Sequence, residues 1–132
     1  IYRTNFLHLT AWSFFTDPPR TAARFAAEIA RAGGSSISFD PGSFQMIEEM
    51  GVSTFWSYVK DLGIKVFLPN YEEGRVLTGM YEPSDIARSL AEHLPNATIS
   101  VAAKCSRGPT FVMPNSITPR KPASRKKADS TS

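Results

Sequence analysis

Apolar and polar positions along the chain follow two rhythms that alternate. The run "FLHLTAW" (6–12) reads as a buried strand. "TDPPR" then opens a helix, with Asp17 as its N-cap and Pro18 in the first helical position. Over 19–32, Ala22, Phe25, Ala26, Ile29 and Ala30 recur at spacings of three and four, which predicts an amphipathic helix face. Gly33 and Gly34 end it, because glycine accepts the left-handed cap conformation. "SISFD" (36–40) is a second strand, closed by Pro41 and Gly42. Residues 43–50 and 52–62 carry helical spacing, broken at Gly51 and Gly63. "KVFLP" (65–69) is a third strand, 71–78 a short helix ended by Gly79, and Pro83 begins another helix. In that helix Ile86, Ala87, Leu90, Ala91 and Leu94 share one side. "TISVAAK" (98–104) is a fourth strand and "TFVM" (110–113) a short fifth.

Strands separated by helices of this length pair in parallel through right-handed crossovers. The predicted class is therefore α/β, an open, mostly parallel sheet with flanking helices. In such sheets ligands bind beyond the carboxyl ends of the strands. Asp40, the group Asn70 to Glu73, and Lys104 all stand at such ends, so all three are expected along one edge.

Composition narrows the class. A chain of 132 residues is one domain. Its hydrophobic fraction of 42% and charged fraction of 20% are those of a globular protein. No stretch approaches the roughly 20 apolar residues of a membrane span, so no membrane partner is expected. The opening "IYRTNFLHLTAW" has no initiator Met and no signal-peptide pattern; starting inside a strand, it suggests a fragment or a processed chain. The single cysteine, Cys105, excludes an internal disulfide and fits a reducing, intracellular compartment, the cytoplasm or an organelle. With no His beside it, Cys105 reads as an ordinary buried thiol.

The charge is divided unevenly. Arg120, Lys121, Arg125, Lys126 and Lys127 face one acid, Asp129, after residue 119, whereas ten basic and eleven acidic residues nearly cancel before it. The chain thus divides into a domain, 1–113, and a basic tail rich in Pro, Ser and Lys, 114–132, expected to be disordered. A basic cluster at 120–127 suits nucleic acid or a nuclear address; it is also what a solvated terminus looks like.

The stretch "VFLPNYEEGRVLTG" (66–79) carries the most chemistry. It places an amide, Asn70, and two carboxylates, Glu72 and Glu73, where a buried strand ends. That pattern suits a metal or phosphate site. It equally suits a helix capped by Asn70 with Glu73 exposed. Lys104 at the next strand end reads either as a ligand-facing lysine or as a surface one.

Taken together, "ISFDPGS", "FLPNYEEGRVLTG" and "VAAKCSRGPTFV" resemble the second half of a PfkB-type (ribokinase-like) carbohydrate kinase. There, one strand ends in Asp-Pro, a later one in Asn-x-x-Glu before a Leu-Thr-Gly turn, and a further one in Lys before a glycine turn. "LHLTAWSFFTDPPRTAARFAAEIARAGG" resembles the preceding strand and helix, with Ala11 where glycine often stands. The resemblance spans about residues 6–113. It implies a partial ribokinase-like, Rossmann-like three-layer fold, and a segment of an enzyme that transfers the γ-phosphate of ATP to a sugar hydroxyl. It implies ATP and Mg²⁺ as cofactors, a sugar or nucleoside as substrate, and a homo-oligomer as a further partner. Asn70 and Glu73 would assist the metal and phosphates, Glu73 indirectly through water. Lys104 would lie near the nucleotide and Asp40 at the substrate edge, with Glu72 solvated.

The sequence also departs from that family. The Gly-Ala-Gly-Asp turn that supplies an anion hole and a general base should follow residue 113, but "MPNSITPRKPASRKKADSTS" contains no glycine. Its one carboxylate, Asp129, has no such setting, so no catalytic residue is assigned and the chain is expected to be inactive as it stands. Gly42 and Ser43 follow Asp40-Pro41 where the family commonly has Asn and a nearby Arg. A sheet edge and the face meant for the family's other half should be exposed. The alternative is a non-catalytic kinase-like scaffold that binds a partner or nucleic acid through its basic tail.

Overall fold

The computed structural model describes residues 4–102. Lys104, Cys105, the 110–113 strand and the 114–132 tail lie outside the described residues. Four strands form one sheet: β1 (Phe6–Thr10), β2 (Ser36–Asp40), β3 (Ile64–Phe67) and β4 (Thr98–Ile99). They lie side by side in sequence order, and every neighbouring pair is parallel. The expected α/β class and open parallel sheet are therefore present.

Register explains which side chains are buried. Leu9, Phe39, Phe67 and Ile99 stand in one row across the four strands, and all are buried. The adjacent row is His8, Ser38, Val66 and Thr98; because side chains alternate along a strand, it points to the other face. None of these four is buried, and His8 Nδ1 is hydrogen-bonded to Ser38 Oγ at 2.9 Å. One face thus carries the core and the other is open among the described residues. On the covered face Phe39 is the hub, its ring 5.7 Å from Phe14, 6.2 Å from Phe55 and 6.0 Å from Phe67.

Five helices connect and cover the strands: α1 (Pro19–Ala32), α2 (Phe44–Met50), α3 (Val52–Val59), α4 (Tyr71–Thr78) and α5 (Pro83–His93). None is long and apolar enough to cross a membrane among the described residues. Several local expectations shift. The first strand stops at Thr10, and Ala11–Phe14 form a 3-10 turn that buries Ala11 and Phe14 and leaves Trp12 exposed. Asp17 sits one residue before the N-cap, which is Pro18, and still accepts from Thr21 N at 3.2 Å and Thr21 Oγ1 at 2.8 Å.

The buried stripe of α1 is Ala23, Ala27 and Ala30, one position round from the predicted face, with Phe25 turned to solvent. Small side chains let the helix lie close on the sheet, so methyl groups rather than the phenyl ring take the contact. Helix α3 ends at Val59, not Leu62, because 60–62 form a turn leading to Gly63 at a φ of 74°. Pairing along the fourth strand outlasts its two-residue ladder: Ser100 N donates to Phe67 O and Ala102 N to Pro69 O, each at 2.9 Å.

Candidate functional site at the carboxyl edge of the sheet

Asp40 is the last residue of β2. Its Oδ1 accepts from Gly42 N at 2.8 Å, which fixes the turn that follows. Gly42 has a φ of 81°, and a Cβ there would lie 3.0 Å from Cδ1 of Trp12. The turn therefore takes glycine for two reasons, backbone conformation and the indole lying against it. Sequence pattern did not find this contact, since Trp12 and Gly42 are brought together only by β1–β2 pairing.

The next strand carries Asn70 to the same edge. Leu68 N donates to Phe39 O, and Tyr71 N donates to Ala102 O, both at 2.9 Å, so neighbours on both sides hold the corner. Asn70 is extended, with ψ at 174°, and is the N-cap of α4. Its Oδ1 accepts from Glu73 N at 2.9 Å. In return, Asn70 N donates to Glu73 Oε2 and Asn70 Nδ2 to Glu73 Oε1, each at 2.8 Å. This is a reciprocal capping box, in which both ends of one side chain are read by the other.

Glu73 is 3% exposed, whereas Asn70 is exposed. The expectation that Glu73 would be solvent-facing if Asn70 merely capped the helix does not hold: Asn70 caps the helix and Glu73 is buried. Burial pushes the Glu73 carboxyl above its ordinary value, and the charge of Asp40 pushes the same way. The hydrogen bonds from Asn70 oppose both. That Asp40 is felt at Glu73 ties the β2 and β3 ends into one electrostatic unit. Glu72, one step round the helix, is exposed and pairs with Arg75 at 3.0 Å.

Two features hold α4 in place. Gly74 faces Ile86 of α5 so closely that a Cβ would come within 2.6 Å of its Cγ2. Thr78 Oγ1 donates to Gly74 O at 2.8 Å and accepts from Met80 N at 3.1 Å, and Gly79 closes the helix in the left-handed conformation. The Asn-x-x-Glu-Gly and Leu-Thr-Gly segments therefore build one rigid short helix whose N-terminus faces the sheet edge.

A cleft of about 280 Å³ opens there, lined by Phe44, Asn70, Tyr71, Glu72 and Ala102. Its lining from α2 and from residue 102 was not visible in the sequence. No group of three His, Cys, Asp or Glu side chains that could hold a metal occurs among the described residues. Both carboxylate oxygens of Glu73 are engaged by Asn70. The donor set therefore does not fit direct coordination of Mg²⁺. What reaches the cleft is the accessible amide of Asn70, which keeps one N–H and one lone pair, with the buried Glu73 carboxylate behind it. The structure brings Asp40, Asn70 and Glu73 to one edge; Lys104 lies outside the described residues.

Neither a protein-family model nor a curated protein matches the sequence. Solved structures do match. A PfkB protein from Polaromonas sp. JS666 aligns at a TM-score of 0.63 and 26% identity, over 85% of this chain and 41% of that one. Fructokinase from Vibrio cholerae O395, in a fructose-, ADP- and calcium-bound form, aligns at 0.68 and 23%, over 84% and 36%. Adenosine kinase from Sinorhizobium meliloti aligns at 0.67 and 14%, over 85% and 36%. The chain spans about two-fifths of the length of the kinases that it matches. In fold, this chain resembles part of the PfkB/ribokinase-family sugar kinases over about 85% of its length.

Proposed function

We propose that this chain is the phosphate-side segment of an ATP-dependent sugar or nucleoside kinase, and that it does not turn over substrate by itself. The observation that supports the reading most is the Asn70–Glu73 corner, a buried carboxylate locked to an exposed amide at the edge where open parallel sheets bind ligands. Phosphoryl transfer asks mainly for positioning and charge neutralisation, which a corner of this kind can serve. Asn70 is the member that meets the ligand, through its remaining N–H and lone pair. Glu73 is a positioning residue, which holds the amide plane of Asn70 and adds its charge behind the site of the hydrated metal. Mg²⁺, when bound, supplies charge neutralisation at the phosphates. Asp40 lines the substrate side of the same edge, and Lys104 is assigned to the nucleotide side.

The chain contains no Gly-Ala-Gly-Asp turn, so it supplies no general base and no anion hole of that type. Positioned acid–base catalysis contributes roughly 10²–10⁴-fold and a lost oxyanion donor costs on the order of 10²–10³-fold. Asn70 and Glu73 substitute for neither.

The test is ³¹P NMR of ATP with the 132-residue chain. The chain should broaden the β and γ signals only when Mg²⁺ is present, and Asn70→Ala should abolish the effect. Broadening that is identical in wild type and Asn70→Ala would remove the corner from the site.

A further inference from the structure

Beside the Asn70 cleft lies a second groove of about 280 Å³, between α2 and the α4–α5 turn. It shares Phe44 and Glu72 with the cleft and adds Glu48, Met80 and Tyr81. Met80 and Tyr81 are 44% and 68% exposed, an unusual degree for neighbouring large apolar side chains. Tyr71 Oη donates to the Tyr81 backbone carbonyl at 2.8 Å, which anchors the turn, and the Arg75 guanidinium lies 4.8 Å from the Tyr81 ring centroid. Arg75 is also paired with Glu72. The groove thus already holds one guanidinium between a tyrosine face and a carboxylate. Across it, Glu48 is exposed and forms no ion pair among the described residues, so it offers a second carboxylate.

We propose that the Pro119–Arg120–Lys121–Pro122 segment of this same chain docks in this groove. A Pro-x-x-Pro segment is suited to the polyproline II conformation, which loses little entropy on binding and packs against aromatic-lined grooves. Phe44 and Tyr81 supply the aromatics. Arg120 or Lys121 between the prolines meets Glu48, in charges of opposite sign. The described chain ends at Ala102, which itself lines the adjoining cleft. Sixteen residues separate Ala102 from Pro119. Fully extended, that length reaches about 50 Å, more than the span of one domain face. Because the segment and the groove belong to one chain, the contact is intramolecular, so a weak contact is enough to populate the docked state. The docking stands on the groove and the tail alone and does not depend on the kinase reading.

The test uses the full chain with Cys105→Ser and Ser124→Cys, a nitroxide on the new thiol, and ¹³C-methyl methionine. Docking predicts that the Met80 methyl signal broadens at least twofold relative to the reduced label, while the core methyl of Met46 does not. Glu48→Lys, an exposed and fold-neutral change, should remove the broadening, and so should the Pro119→Ala, Pro122→Ala pair. Adding Lys121→Glu to Glu48→Lys should restore part of it. Broadening of Met80 that survives both variants, or that is absent in the parent, overturns the proposal. So does broadening seen only between differently labelled chains, which would place the tail on a second copy. Capture of the tail by added nucleic acid, with Met80 undisturbed before the addition, would likewise overturn it.

Discussion

Asn70 donates from both its backbone N–H and its Nδ2 to the two oxygens of Glu73, at 2.8 Å each, and takes the Glu73 N–H back on Oδ1 at 2.9 Å. A buried carboxylate is tolerated here because one neighbour satisfies it. Removing that neighbour should therefore cost more than a helix cap. Asn70→Ala loses a cap worth about 1 kcal/mol and leaves a buried acceptor short of donors, at about 1–3 kcal/mol. The expected loss in urea unfolding is about 2–4 kcal/mol, against under about 1 kcal/mol for Glu72→Ala on the exposed side of the same turn. Equal losses at the two positions would show that the Asn70–Glu73 bonds do not stabilise the corner.

The pH dependence follows from the direction of the Glu73 shift. Burial and Asp40 raise the carboxyl in the folded state. Such a group contributes stability that is fully present below its unfolded value and is lost as pH rises through the folded one. Glu73→Gln does not titrate. The stability of wild type relative to Glu73→Gln should therefore fall as pH rises above about 4, where the unfolded group titrates near the ordinary Glu value. A relative stability that instead grew with pH would mean that the Asn70 hydrogen bonds outweigh burial.

Gly74 is a test of packing rather than chemistry. In an exposed helix, Gly→Ala stabilises by roughly 1 kcal/mol. Here the added methyl would meet Ile86 Cγ2 at 2.6 Å, between two packed helices. Gly74→Ala should instead destabilise by about 1–3 kcal/mol. Ile86→Ala should relieve part of this, so that the double variant is less destabilised than the sum of the two. Strict additivity would place the methyl elsewhere.

Turnover is expected to be absent. With ATP, Mg²⁺ and a panel of sugars and nucleosides, the purified 132-residue chain should consume no more ATP than its Asn70→Ala, Glu73→Ala variant. Sugar-dependent consumption above that control would show that a catalytic base stands somewhere in this chain unrecognised.

Much of the fold was legible because its signals are local. Pro83 begins a helix, Pro18 stands one residue before another that starts at Pro19, Gly79 ends one in the left-handed conformation, and apolar strand runs fall between them. Asn-x-x-Glu is itself the sequence signature of a capping box, so the geometry of that corner was also within reach. What a sequence does not carry is which neighbour arrives from afar. The burial of Glu73, the indole of Trp12 against Gly42, and the meeting of Phe44 with Ala102 at the cleft all depend on strands pairing across long separations. The α1 face was misread by one position because Phe25 counts as a core residue by type, while the close helix–sheet approach selects alanine.

The central claim, that ligand phosphates meet this chain at the carboxyl edge beside Asn70, is tested most directly by mapping amide NMR shifts of the 132-residue chain on adding Mg²⁺ and ATP. The account predicts saturable shifts at Gly42, Asn70, Tyr71 and Ala102, with Ser36 and Gly63 at the opposite ends of the strands unmoved. Shifts centred on Ser36 and Gly63, or no shift at Asn70 and Tyr71 at saturating nucleotide, would contradict it.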